Sequence, residues 1–248
     1  MNALRSPLRS RDASARAAYD ARYFDDELHR DHWFRNNAAK RARRWRAILD
    51  MLEPARDDRV LEIGCAAGEH TLRLAARVRS IVGIDLAAAA IDRATKNAAA
   101  AGVANATFLQ ADAADLHSLA TASVDKVAAI DFFEHVDDAS LARILAEVRR
   151  VLVPDGRLAV YTPCATHYVE RLKARNLILR QIPGHIAVRG PDAYRTLLAR
   201  AGFAVGSLRF LPSDYPVAGW IDRALLRVPR IDAAFRFRIC IVARPLAQ

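Results

Sequence analysis

The run Val60-Leu61-Glu62-Ile63-Gly64-Cys65-Ala66-Ala67-Gly68-Glu69-His70, followed by Ile81-Val82-Gly83-Ile84-Asp85, admits few folds. Arg59 to Ile63 is largely apolar and β-branched, as a strand buried on both faces must be. It delivers the chain to a turn where Gly64 and Gly68 carry no Cβ, so backbone N–H groups can approach a ligand closely. Leu72, Leu74, Ala75 and Val78 then recur at helical spacing, which predicts a helix over 68–78 packed on a sheet. Asp85 ends the second apolar run at the C-terminal edge of that sheet. A carboxylate there suits the two hydroxyls of a ribose; alternatively it caps the helix that starts near Ala87. Strand, small-residue turn, helix, strand and terminal acid together make a nucleotide cradle.

The alternation continues. Strands are predicted over 59–63, 80–85, 107–110, 124–130, 157–162, 204–211 and 237–243, and helices over 68–78, 87–101, 139–152 and 191–201. Pro191 and Gly202 stand where helix starts and stops prefer them. A βαβ pattern of this kind implies a mainly parallel sheet with helices on both faces.

With the Glu62-to-Gly68 turn and Asp85 go Gln110-Ala111-Asp112-Ala113, Phe133-Glu134-His135-Val136 and Leu152-Val153-Pro154-Asp155-Gly156. In this order the motifs resemble class I S-adenosylmethionine-dependent methyltransferases, over about Val60 to Gly206. Within those, the chain is most similar to the group acting on small molecules, quinones and lipid- or glycan-linked acceptors. The resemblance implies a Rossmann-like, doubly wound seven-stranded sheet with its last strand inserted antiparallel. It implies S-adenosyl-L-methionine as cofactor, with Glu62, Gly64, Ala66 and Gly68 around its methionine portion and Asp85 on its ribose. Ala111, Asp112 and Ala113 would border the adenine, although Asp112 also suits a helix cap before Leu116. Ala66 departs from the pattern, since many members carry a glycine there; one methyl predicts a slightly tighter turn with binding intact.

Asp131 follows the fourth strand, where it would hold the donor's ammonium or touch the acceptor. His135 is a candidate general base, imidazole being suited to accept a proton near neutral pH, and His185 is a comparable one. His167 is weaker. Spacing specifies no metal-ligand pattern and does not rule out one built from Glu134, His135, His167 and His185. Cys65, Cys164 and Cys240 form no pair, which argues against a disulfide framework and a cysteine zinc site. Cys65 reads as packing, and nucleophilic chemistry at Cys164 is a weaker alternative.

A chain of 248 residues suits one domain with additions. Residues 1–58 read as a basic tail, Met1 to Arg16, and a helical lid whose aromatics Tyr23, Phe24, His32, Trp33, Phe34 and Trp45 either roof a cavity or pack on the sheet. Residues 59–248 read as the catalytic domain, with insertions at about 163–190 and 212–236. No apolar run is long enough to span a bilayer and the first residues lack a secretory core, so the protein is expected to be cytoplasmic.

The net charge of +10 resides after residue 156, where 15 basic side chains face 5 acidic ones. Such a region suits an anionic acceptor, or is simply solvated. Trp220, Ile221, Leu225, Leu226 and Val228 among Arg223, Arg227 and Arg230 would, if helical, make a basic amphipathic segment able to rest on a membrane. Arg41, Arg43, Arg44 and Arg46 around Trp45 raise a nucleic-acid methyltransferase as an alternative. It is disfavoured because Ile130-Asp131-Phe132-Phe133 lacks the Asn-Pro-Pro-aromatic signature of base amino methylation. An NAD-dependent oxidoreductase also fits a small-residue turn with a distal acid, but not the Asp112 and Pro154-Asp155-Gly156 positions.

Overall fold

Parallel strands cannot be joined by tight turns, so the alternation after Arg59 forces right-handed crossovers through helices. The computed structural model describes residues 38–177, 184–214 and 216–247. The expected basic tail, the lid aromatics before Trp45, and Pro183 lie outside the described residues.

In chain order the elements are α1 (Ala38–Leu52), β1 (Arg59–Ile63), α2 (Glu69–Ala75), β2 (Ser80–Asp85), α3 (Ala88–Ala101), β3 (Ala106–Gln110) and β4 (Val124–Ile130). A 3-10 turn (Phe133–His135), α4 (Asp138–Val151), β5 (Leu152–Pro163), α5 (Tyr168–Ala174) and α6 (Pro191–Arg200) follow. β6 (Phe203–Leu211), α7 (Pro216–Leu225), a second 3-10 turn (Asp232–Phe235) and β7 (Arg238–Pro245) complete the chain. The strands form one sheet in the order β3-β2-β1-β4-β5-β7-β6. β1 pairs in parallel with both β2 and β4, and β7 is antiparallel to both neighbours. The strand order reverses at β1, which opens a crevice at the C-terminal ends of β1 and β4.

Two apolar layers cover the sheet. On one face α4 and α6 bury Leu141, Ile144, Leu145, Val148 and Leu198 against Leu61, Val127 and Leu158. On the other, Ile48, Met51 and Leu52 of α1 pack with Leu74 and Ala75 of α2 over Val60, Ile81 and Ala128. Within the described residues the N-terminal segment therefore behaves as a helix laying its apolar side on the sheet.

Two boundaries differ from expectation by three residues or more. The helix predicted over 68–78 ends at Ala75, because Arg77 N–H turns back to the Leu74 carbonyl (2.8 Å) and Arg79 N–H bonds Asp58 O (2.9 Å). The fifth strand begins at Leu152, five residues before Arg157, since Val124 already pairs with Leu152 before the register shifts. Gly156 makes that shift possible: a Cβ there would lie 2.8 Å from the Val153 carbonyl oxygen.

The two insertions are tied to each other. Buried His167 Nε2–H donates to Asp222 Oδ2 at 3.1 Å, and the same oxygen accepts Ser213 N–H at 2.8 Å. Val169 N–H donates to His167 Nδ1 (3.2 Å), which defines the tautomer and makes His167 the cap of α5. His167 is thus a structural residue. Asp222→Ala strands two buried donors and is expected to cost about 2–4 kcal/mol in urea unfolding.

Candidate active site

Backbone conformation shapes the turn after β1. Gly64, Ala66 and Gly68 adopt φ of 71°, 46° and 81°, three left-handed residues within five. Glycine is required at position 64 on a second count, because a Cβ there would meet Phe132 Cδ2 at 2.5 Å. Ala66 tolerates the same region at a cost of about 1 kcal/mol, and its N–H donates to Asp85 Oδ2 at 3.0 Å, which holds it there.

Asp85 joins the turn to the segment that enters α3. Oδ1 accepts Ala87 N–H at 2.9 Å at the entrance of α3, and Oδ2 straps the turn. A carboxylate offers about four acceptor positions, so two backbone bonds leave capacity toward the crevice. Burial raises its pKa, offset by those N–H donors. Asp112 Oδ1 accepts Ala114 N–H at 2.8 Å and so closes a turn; no helix follows it before β4, so the helix-cap expectation is not met. Ala111 N–H bonds Asp85 O (3.0 Å), and Ala113 is buried in the core.

Glu62 is buried beneath the turn and accepts the Thr71 hydroxyl. Burial pushes its carboxyl up to about 7 despite that bond. Cys65 is buried beside it, its thiol raised by burial, which agrees with packing. Cys164 is likewise buried and its pKa raised, which removes the nucleophile alternative.

Asp131 is left-handed (φ 48°), its N–H donating to Tyr161 O at 2.7 Å. Its carboxylate pairs with Arg44 from α1 and with Arg238 from β7, the latter at 2.9 Å. Both guanidiniums lie over the Tyr161 ring, 5.6 and 5.4 Å from its centroid. Burial alone would raise Asp131, but Arg238 and Arg44 hold its carboxyl below the usual range. Neither arginine was singled out as a site residue from the sequence. A signal existed for Arg44, which lies four residues before Ile48 on the inward stripe of α1; Arg43, by contrast, reaches Asp214 at 2.9 Å. His70, partly buried with its pKa lowered to about 3 by desolvation, stacks on Trp45 at 6.4 Å, so that aromatic belongs to the helix packing.

Past Asp131, the structure gathers the two predicted imidazoles. The His135 and His185 rings meet edge to face at 4.9 Å. His135 Nδ1–H donates to the Gly184 carbonyl at 2.9 Å, which puts the lone pair of the neutral ring on Nε2. Burial lowers both pKa values, His185 to about 4 with help from His135. Glu134 is fully buried; its Oε2 accepts Thr162 Oγ1–H at 3.0 Å, and burial and Asp131 push it up to about 8. The loop carrying His185 is stitched to this turn. Ala187 N–H bonds Glu134 O (3.0 Å), and Arg189 donates to the carbonyls of Phe133 (2.8 Å) and Val136 (2.7 Å) and to Asp138 (2.7 Å).

Comparison with known proteins bears on these residues. Residues 60–156 match the family model described as "Methyltransferase domain". The chain is 30% identical over 205 residues to 27-O-demethylrifamycin SV methyltransferase of Amycolatopsis mediterranei, covering 80% of this chain and 74% of that protein. It is 50% identical to the 23S rRNA (uracil(1939)-C(5))-methyltransferase of Stenotrophomonas maltophilia, but over 64 residues, 26% of this chain and 14% of that protein. In fold it resembles the geranyl diphosphate C-methyltransferase of Streptomyces coelicolor, with a TM-score of 0.69 and 17% identity over 97% of this chain and 100% of that one.

The buried acid and imidazole give stability two opposed pH limbs. Glu62 keeps its proton in the folded state up to about 7 against 4.5 when free, so its contribution is full below pH 4.5 and is lost as pH rises toward 7. His70 stays neutral down to about 3 against 6.5, so stability falls as pH drops below 6.5. Because these windows overlap, the Glu62 contribution is read as a difference: the stability of Glu62→Gln relative to the parent is expected to be constant below pH 4.5 and to move in the variant's favour as pH rises from 4.5 to 7, read from urea midpoints across pH.

Proposed function

Because the chain belongs to the class I S-adenosylmethionine-dependent methyltransferases, we propose that it methylates an oxygen of a small-molecule or lipid- or glycan-linked acceptor. Bound S-adenosylmethionine supplies an activated methyl on a cationic sulfonium, and the protein's task is positioning and exclusion of water. Family membership removes the NAD-dependent oxidoreductase alternative.

In this reading Glu62, Gly64, Ala66 and Gly68 line the methionine portion of the donor. Asp85 takes the ribose with its remaining lone pairs, and Ala111, Asp112 and Ala113 border the adenine. Arg44 and Asp131 are complementary to the carboxylate and ammonium of the amino-acid head. The single observation that carries the assignment is Asp85, anchored by Ala66 and Ala87 at the rim of a turn with three left-handed residues. Its fit is chemical: an acceptor-only group held at the mouth of a crevice whose floor lacks side chains at Gly64 and Gly68.

His135 and His185 act on the acceptor in this reading, each neutral near pH 7. An anionic acceptor is favoured by Arg238, whose charge acts on His185, and by the net positive charge of Arg44 and Arg238 around the single carboxylate of Asp131. Residues 1–58 act as tail and lid to the catalytic domain, and Arg44 on α1 supports that role by reaching Asp131. The small-molecule class is supported by the rifamycin enzyme, whose similarity extends over 80% of the chain. A lipid-linked acceptor is supported by α7, where Trp220, 70% exposed, stands near exposed Arg223; the helix ends at Leu225, so Arg227, Val228 and Arg230 of the expected amphipathic segment lie in the turn beyond it. Among the described residues no helix is long and apolar enough to cross a membrane.

The 50% identity to an rRNA enzyme favours RNA as a second reading, yet over 64 residues only. It requires RNA affinity that falls steeply with salt.

Calorimetric titration with S-adenosylhomocysteine is expected to show binding to the parent. Asp85→Ala should weaken it by about 10- to 100-fold, the loss of charge-assisted hydrogen bonds, and Asp85→Asn by less. Equal affinity in parent and Asp85→Ala would overturn the assignment.

A further inference from the structure

Glu134, His135 and His185 come from two separated stretches of chain, and their ligand atoms lie within 4.8 Å of one another. We propose that they bind a divalent transition-metal ion, one carboxylate and two imidazoles at the acceptor side of the crevice.

Four observations carry this. Glu134 has no exposed surface, yet its Oε1 is buried without a hydrogen-bond partner. An orphaned carboxylate oxygen in such a place is costly unless a cation or proton meets it. His185 Nδ1 is in the same condition, buried and unpartnered. His135 presents Nε2 as its lone-pair nitrogen because Nδ1–H is fixed on the Gly184 carbonyl, the outer bond that orients a metal-bound imidazole. Glu134 Oε2 is likewise oriented by Thr162, whose hydroxyl in turn contacts Tyr194 OH at 3.3 Å.

The ligand positions are held before any ion arrives. Arg189 and Ala187 fasten the His185 loop to the backbone around Glu134 and His135, so a metal would find its donors assembled. Asp131, whose charge acts on all three residues, is engaged by two arginines, which leaves three protein donors among the described residues and open coordination positions. Imidazole with carboxylate suits zinc, cobalt, nickel, manganese or ferrous ion better than magnesium or calcium. Open positions suit an acceptor oxygen, which such an ion would polarise. That last role rests on the methyltransferase reading above; metal binding itself does not.

The test uses the full chain after chelator treatment and desalting. Zinc is titrated by calorimetry and cobalt by visible absorption, each with S-adenosylhomocysteine affinity measured on the same sample. One ion per chain is expected, with His185→Ala and His135→Ala each weakening zinc by at least about 10-fold, in the range seen when metal-site partners are removed. His117→Ala, an exposed imidazole paired with Asp115, should change nothing. Glu134→Gln extends the series; if it does not fold, His185→Ala on the partly exposed loop carries the same comparison. Absence of saturable binding, or equal zinc affinity in parent and both histidine variants, overturns the proposal. A chain that binds S-adenosylhomocysteine but no metal retires this site and leaves the methyltransferase assignment standing. One that binds metal but no S-adenosylhomocysteine does the reverse.

Discussion

A carboxylate at the end of β4 holds guanidiniums from the first described helix and from the last strand, and the rest of the crevice is arranged around that knot. Asp131 occupies a left-handed conformation that costs a non-glycine residue about 1–3 kcal/mol. Both ion pairs are partly solvent-exposed, so each contributes about 0–1 kcal/mol and together they offset part of that strain. The single carboxylate offsets one of the two guanidinium charges that lie over the Tyr161 ring and gives both arginines a partner. α1 and β7 are thereby brought to the same side of β4, and a distant part of the sequence is delivered to the site.

The same crowding explains the nearby titrations. Glu62 and Glu134 sit where a negative charge is poorly solvated, and burial is the largest cause of both upward shifts. His70, His135 and His185 are shifted down for the same reason. Acids that keep protons and imidazoles that shed them make the region nearly neutral apart from the arginine and aspartate knot. Such a site favours a ligand that carries its own balanced charges, as a zwitterionic head does.

The turn after β1 was legible because it is local. Glu62, Gly64, Ala66, Gly68 and Asp85 fall within a single βαβ unit, where spacing determines geometry, and the sheet followed from hydrophobic periodicity. Strand limits failed at Leu152, where a register shift depends on a partner strand that periodicity does not see. Arg44 and Arg238 were missed for a similar reason: they lie 87 and 107 residues from Asp131, and an arginine on a helix or at a strand start reads as solvated until topology brings it inward. His135 and His185 were named from residue type. Their meeting across 50 positions was not visible in the spacing.

What joins those two imidazoles is the geometry of the loop after β5. Arg189, 6% exposed, spends its guanidinium on the carbonyls of Phe133 and Val136 and on Asp138, closing the entrance of α4. His167 and Asp222 anchor the other side of the same insertion to α7. Between these two anchors stands Gly184, whose carbonyl takes the His135 proton. An insertion tied at both ends can vary along its length while its contact with the acceptor side stays constant. The position of His185 against His135 is therefore set by bonds on both sides of it in the chain.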